Sequence, residues 1–268
     1  MKKIAVFNDL SGFGKCSLSA SLPIISACGV QCCPLPTAVF TRQTAFEGYQ
    51  YLELTELMPS FFADWEKEEF DGIYTGFFTS IEQIQLASNF ISTHNETKYI
   101  LVDPVMGDNG SAYPVCSDDI ISGIKEIIKK ATVITPNLTE LSMLTDTDFN
   151  QLNCGEFNAI VMAARSLLVD KLKTVIVTGI HKKGRIYNII VCERNYYIVA
   201  SHMFIGSFSG TGDIFASVIA AMLVKGKSNK YAVKKAVKLI SKSANTTLKS
   251  NTDSRYGIEF ERYLYLLK

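Results

Sequence analysis

The 268-residue chain is long enough for one large domain or two small ones, and at that length folding buries roughly 75% of the unfolded surface without disulfide or metal staples. Hydrophobic residues make up 47% and charged residues 20%, an ordinary globular balance. Twenty-seven Lys and Arg offset 26 Asp and Glu for a net charge of +1, so neither a nucleic-acid partner nor a membrane surface is expected, because those partners call for a basic excess.

In chain order, residues 4–7 form a short apolar run that predicts a buried strand. A turn-rich loop over 8–14 follows it, and then a helix over 15–28 that stops at Gly29. The loop nearly matches two phosphate motifs and fails both. A P-loop needs Gly and Ser or Thr where Asp9 and Cys16 stand, and a dinucleotide fingerprint from Gly12 needs Gly or Ala where Ser17 stands. Asp9 is then either a hydrogen-bonding group for a polar substrate or a turn residue bonding its own backbone. Residues 30–39 predict a second strand near an edge, because Pro34 and Pro36 cannot donate to a ladder. Thr44 lies in the polar and aromatic loop after it. A helix over 55–68, a strand over 72–75 and a helix over 81–94 come next, with Gly76, Phe77 and Phe78 following the strand.

Residues 99–103 form an apolar strand that ends on Asp103, and Pro104 and Gly107 turn the chain away. An acid at such a tip beside a phosphate site commonly serves Mg²⁺; the plainer alternative is a turn acid. After a helix over 117–130 and a strand over 132–135, Pro136 opens a helix with Glu140 in its first turn. That is complete helix-starting chemistry, and it equally puts Asn137 and Glu140 where they could face Asp103. A helix over 155–169, a strand over 174–177 ending in Thr178 and Gly179, and a hairpin over 185–202 complete this part.

Residues 206–226 are the stretch around which the rest is organised. Gly206, Gly210 and Gly212 run into Ile214, Phe215, Val218, Ile219, Met222 and Leu223 at helical spacing. A glycine loop feeding a buried helix N-terminus leaves backbone N–H groups free to hold an anion. Asp213 either charges the helix start, stabilising it by roughly 0.3–1 kcal/mol, or orients and deprotonates a hydroxyl that attacks a phosphoryl group at Gly210–Gly212. A helix over 230–248 and a short tail follow.

The alternation of strands and helices predicts an α/β fold, a mostly parallel central sheet with helices on both faces. Asp9, Asp103, Asn137, Thr178 and Gly210 then meet at the carboxyl ends of strands, where open α/β sheets bind ligands. Seven cysteines without a Cys-x-x-Cys spacing suit free thiols in a reducing compartment, and three scattered histidines give neither a zinc site nor a His-based triad. No apolar run is long enough to span a bilayer, and Asp9 comes too early for a signal peptide.

The motifs over 8–14 (Asn-Asp-Leu-Ser-Gly-Phe-Gly), 103–108 (Asp-Pro-Val-Met-Gly-Asp), 135–140 (Thr-Pro-Asn-Leu-Thr-Glu) and 210–213 (Gly-Thr-Gly-Asp) resemble, in order and spacing, those of the ribokinase-like superfamily. More narrowly, the chain resembles the pyridoxal/pyridoxamine kinases of vitamin B6 salvage over essentially its whole length. The resemblance implies one ribokinase-like domain over 1–268, a three-layer sandwich, and ATP-dependent phosphorylation of the 5′-hydroxymethyl group of pyridoxal, pyridoxine or pyridoxamine. It implies Asp213 as the base and Gly210, Thr211 and Gly212 as the anion hole. Asp103 and Glu140 become the magnesium–phosphate pair, with Asn137, Thr178 and Ser209 beside the triphosphate and Asp108 and Tyr113 over the nucleotide. Asp9, Thr44 and Phe77 match acceptor-binding positions. Such kinases are typically cytoplasmic homodimers that use MgATP and often a monovalent cation such as K⁺. Asp9 stands where many of them have Ser, Gln43 where many have His, and Phe77 where some have an aromatic hydroxyl. Asp9 also resembles the hydroxymethylpyrimidine kinases of thiamine synthesis. That reaction is one rival reading, and a catalytically inactive nucleotide-binding relative is another. A sugar kinase would usually carry a longer substrate lid in the first half, and no such insertion is present.

Overall fold

The protein is described here by a computed structural model, which covers residues 1–202, 206, 208–250 and 252–268. Ser207 of the glycine-rich loop lies outside the described residues. The strands are β1 (Lys3–Ser11), β2 (Gln31–Phe40), β3 (Tyr51–Glu53), β4 (Gly72–Thr75), β5 (Tyr99–Val102), β6 (Gly107–Asp108), β7 (Ser111–Ala112), β8 (Val133–Ile134), β9 (Thr174–Lys182), β10 (Arg185–Cys192) and β11 (Tyr196–His202). The helices are α1 (Ser17–Ala27), α2 (Met58–Asp64), α3 (Ile81–Thr93), α4 (Asp118–Ile127), α5 (Leu138–Thr145), α6 (Phe149–Cys154), α7 (Phe157–Ser166), α8 (Thr211–Val224) and α9 (Asn229–Lys249).

Among the described residues nine strands form one sheet, in the order β11-β10-β9-β8-β5-β4-β1-β2-β3, and β6 with β7 makes a separate small hairpin. The strands from β9 to β2 pair in parallel, while β10, β11 and β3 are antiparallel additions at the two edges. Side chains alternate between faces. On β1, Ile4 and Val6 enter a core with α1, α8 and α9, while Ala5 and Phe7 enter a second core with α3, α4, α5 and α7. Tyr74 against Ile73 and Leu101 against Ile100 split the same way. This is the mostly parallel, helix-covered sheet expected from the alternation of elements, in three layers.

Helix α8 is buried at every position from Ile214 to Val224, not merely along a stripe, because the sheet lies beneath it and α1 and α9 flank it. Its whole-surface apolarity is what a central helix requires. The prolines of β2 lie where expected: β3 pairs only with Ala38, Val39 and Phe40, so Pro34 and Pro36 are outside that ladder.

Two helix expectations change. The helix predicted over 55–68 ends at Asp64, since the acidic run from Glu66 to Glu69 has no apolar stripe to bury and the chain turns to place Phe70 in the core. The helix predicted over 155–169 is α7, Phe157–Ser166, and a short helix that was not expected precedes it: α6 is N-capped by Asp148, whose side chain accepts from the Gln151 amide at 3.0 Å. The short tail closes the core, with Ile258, Phe260 and Leu267 buried against α1, α8 and α9.

Candidate active site

The parallel strands point their carboxyl ends to one edge, and five of them deliver site residues there. β1 carries Asn8 and Asp9 near its end, Gly76 and Phe77 follow β4, Asp103 follows β5, the turn after β8 leads into Asn137, and β9 passes through Thr178. The N-terminus of α8 completes the edge.

Gly210 is the N-cap of α8 with φ +76°, and no described side chain caps it, so the first-turn amides remain available to a ligand. Only glycine fits. A Cβ here would stand 2.0 Å from the Lys15 carbonyl oxygen and 2.9 Å from Cys16 Cα. The helix ladder opens with Ile214 N donating to Gly210 O at 3.0 Å, and Thr211 Oγ1 donates to Phe208 O at 3.2 Å.

Asp213 sits in this first turn. Its Oδ1 accepts from Asn8 Nδ2 at 3.0 Å. Loss of hydration raises its pKa above the usual carboxylate range, against the Ser17 backbone N–H and the Asn8 amide, which favour the ionised form. Asn8 is fully buried, and its Oδ1 also accepts from Phe77 N at 2.9 Å, so one amide links Asp213 to the loop after β4.

Asp103 Oδ1 accepts from Thr135 Oγ1 at 2.6 Å. Burial pushes its pKa up to about 7, the Thr135 hydroxyl opposing and the Asp213 charge adding. Glu140 does two things at once. It closes a capping box, accepting from Asn137 N at 2.8 Å while Asn137 Oδ1 accepts from Glu140 N at 2.9 Å. It also accepts from Met106 N at 3.3 Å, and burial followed by the Asp103 charge raises its pKa well above the usual range. The capping role expected of this pair is met, and Glu140 also lies within range of the Asp103 charge.

Asn137 Nδ2 donates to Gly107 O at 2.8 Å, tying α5 to the β6–β7 hairpin that carries Asp108. Asp108 is exposed and accepts from the Asn109 amide at 2.9 Å. Tyr113 is 39% exposed, and its hydroxyl pKa is raised, first by burial and then by the Glu140, Asp108, Asp103 and Asp213 charges. Thr178 is half-buried, its N–H donating to Pro136 O at 2.9 Å. Asp9 is buried among hydroxyls. Phe77 is half-buried, its ring 6.2 Å from that of Phe40. Thr44 is exposed at the loop surface.

Two contributors were not anticipated. Asn8 had the signal that singled out Asp103, a polar residue at the tip of an apolar strand, but it was read only as part of a turn. Gln43 stood out only as a departure from the family's His: its buried amide donates to Ser209 Oγ at 3.2 Å and Arg255 O at 2.7 Å, clasping the loop after β2 to the glycine loop and the C-terminal segment.

The crowding of acids has a measurable consequence. Between the ordinary carboxylate pKa and about 7, folded protein holds protons at Asp9, raised to about 6 chiefly by burial, and at Asp103, which the unfolded chain has released. Stability of the ligand-free protein therefore falls as pH rises through that window. Asp103→Asn is expected to flatten the fall and raise Tm at pH 7.5 by roughly 3–6 °C. A Tm unchanged or lowered at pH 7.5 in differential scanning fluorimetry would contradict the cause assigned.

The family model described as phosphomethylpyrimidine kinase matches residues 14–256. The chain belongs to that family. It is a kinase of the ribokinase-like superfamily. A protein of Bacteroides thetaiotaomicron, described as a phosphomethylpyrimidine kinase and solved with pyridoxal, superposes on this kinase with a TM-score of 0.94 at 36% identity, covering 99% of this chain and 95% of its own. Pyridoxal kinase from Lactobacillus plantarum gives a TM-score of 0.91 at 26% identity, covering 100% of this chain and 96% of its own. A pyridoxal kinase of Actinobacillus succinogenes is 26% identical over 243 residues, 85% of this chain and 83% of its own.

Proposed function

We propose that this kinase transfers the γ-phosphoryl group of ATP to the 5′-hydroxymethyl oxygen of a B6 vitamer: pyridoxal, pyridoxine or pyridoxamine. The observation that carries the reading is Asp213, held by Asn8 in the first turn of a buried helix whose N-cap can only be glycine. The relative solved with pyridoxal supports the choice of acceptor, as do the curated pyridoxal kinases.

Asp213 accepts the proton of the attacking hydroxyl as the new O–P bond forms and the bond to the ADP leaving group breaks. The N–H groups of the Gly210–Gly212 turn stabilise the charge on the phosphoryl oxygens from fixed positions. Asn137, Thr178, Ser209, Asp108 and Tyr113 line the nucleotide end, and Thr44 and Phe77 the acceptor end, with Asp9 buried beside it. Among the described residues no three His, Cys, Asp or Glu side chains converge as a self-sufficient metal site. Two mutually repelling buried carboxylates suit Mg²⁺, which is usually held by one or two carboxylates plus substrate phosphates and water. Asp103 and Glu140 would hold it, and its charge would offset theirs and that of the triphosphate.

One sheet runs through the chain, which supports a single catalytic domain. Val39, Tyr51, Leu52 and Leu57 are large apolar side chains exposed around the β3 edge, which supports a homodimer; a monomeric mass in sedimentation equilibrium would count against it. Seven free cysteines support a reducing cytoplasm. Among the described residues no helix is long and apolar enough to cross a membrane.

The decisive assay follows ATP consumption with Mg²⁺, with and without K⁺, offering pyridoxal, pyridoxine, pyridoxamine, hydroxymethylpyrimidine and its phosphate. Turnover with a B6 vitamer is expected. Turnover confined to the pyrimidines, including a second phosphorylation, would move the kinase to thiamine synthesis, the reading that Asp9 and the family's description favour. ATP binding without turnover of any acceptor would make it an inactive relative.

A further inference from the structure

Asp9 lies where the pairing of β1 with β2 slips between Asn8 and Leu10, and such a bulge re-aims the side chain it carries. Its Oδ2 accepts from the Ser11 hydroxyl at 3.0 Å and its Oδ1 from the Ser17 hydroxyl. Ser17 is the first residue of α1 and has φ +47°, a left-handed conformation that a side-chain-bearing residue keeps only when its surroundings over-determine it. Here they do. Besides the bond to Asp9, the Ser17 carbonyl accepts from Ser21 Oγ at 2.9 Å, and Ser21 Oγ accepts from Ser217 Oγ at 2.9 Å, one turn along α8 from Asp213. All five side chains are buried. The network joins the end of β1, the start of α1 and α8. The start of α1 also abuts the glycine turn, since a Cβ on Gly210 would stand 2.9 Å from Cys16 Cα. The Ser17 N–H is among the groups acting on the Asp213 carboxylate.

We propose that Asp9 and Ser17 are a positioning pair for Asp213: their hydrogen bond holds Ser17 in its left-handed conformation, and that conformation presents the Ser17 backbone N–H to the carboxylate and sets its direction toward the acceptor alcohol. The inference rests on Asp213 as the base of the proposed reaction. Asp9 then acts through Ser17 and not on the acceptor ring, although the resemblance suggested a ring contact.

Ser17→Gly separates geometry from strain. It removes the hydroxyl but also the cost of a positive φ, so the variant should fold with a Tm at or above wild type. The expected result is a kcat 10- to 100-fold lower, on the order of a misplaced catalytic group, with the KM for vitamer and for ATP within about twofold of wild type. Asp9→Ala should give the same split, and the double variant should be no worse than the poorer single one, as for residues acting as one unit. Wild-type kcat in Ser17→Gly would overturn the proposal, as would an Asp9→Ala variant with raised vitamer KM and intact kcat, the mark of a ring contact. A second readout needs no substrate. In the ligand-free protein the Ser17 amide should exchange hydrogen slowly by NMR, and at least tenfold faster in folded Asp9→Ala; equal rates would overturn the pair. If the wild-type protein turns over none of the acceptors, the reading of the reaction fails, and amide exchange alone decides whether Asp9 holds Ser17.

Discussion

Asp213→Asn is expected to lower kcat by roughly 10²–10⁴-fold, the range supplied by a positioned proton acceptor, while ATP affinity measured by calorimetry stays within about threefold. Asn keeps the shape of the side chain and can keep its oxygen toward Asn8 Nδ2, now 3.0 Å from Asp213 Oδ1. What it loses is the ability to take a proton. The variant should not be less stable, because a carboxylate whose desolvation raises its pKa is a net cost to the folded state at neutral pH. An unchanged kcat, or a parallel loss of ATP binding, would remove Asp213 from the role of base and reduce it to a helix-start charge.

Gly210→Ala should be the most damaging single methyl in the chain. It adds a side chain at φ +76° and drives it to 2.0 Å from the Lys15 carbonyl oxygen. That oxygen belongs to backbone whose own N–H is bonded to Tyr256 O at 3.1 Å, so no flexible side chain can give way. A loss on the order of 3–5 kcal/mol is expected, with Tm lower by roughly 10 °C and any folded remainder at least 10²-fold slower in kcat, because the turn proposed to hold the phosphoryl group is displaced. Gly226→Ala is the internal control. It has the same φ of +76° but nothing within 4 Å of the added Cβ, so it should cost only the left-handed backbone penalty of roughly 1–2 kcal/mol and leave kcat unchanged. Equal damage from the two substitutions would show that the φ alone matters and that the packing of Lys15 against Gly210 does not.

Much of the site was legible because strand tips are written locally. Asp103 follows four apolar residues and precedes Pro104, and Asn137 and Glu140 have capping-box spacing; both readings lead straight to the observed geometry. The hairpin over β10 and β11 was equally plain from two β-rich runs around Glu193 to Asn195. The failures are of another kind. The helix predicted to 68 stops at Asp64 because its continuation has nothing to bury, and burial is decided by neighbours. The short helix α6, ahead of the predicted one, had a local sign in the capping acid Asp148. The clasp between Gln43 and the segment from Ser254 to Gly257 carried no local sign, because its importance lies in the loops that it joins.

By itself the sequence determined the alternation of strands and helices, the parallel sheet that follows from it, and the set of acids and glycines at strand and helix ends. These depend on periodicity, turn chemistry and capping, which act within a few residues. Only the tertiary structure decided which of those groups meet and in what state. Asn8 holds Asp213 across 205 residues of chain, and Gln43 reaches Ser209 across 166. Asp9, Asp103, Glu140 and Asp213 acquire raised pKa values because folding removes their water and brings some of them within range of one another's charge. Desolvation and the field of distant charges are properties of the assembled interior, and no local pattern can encode them.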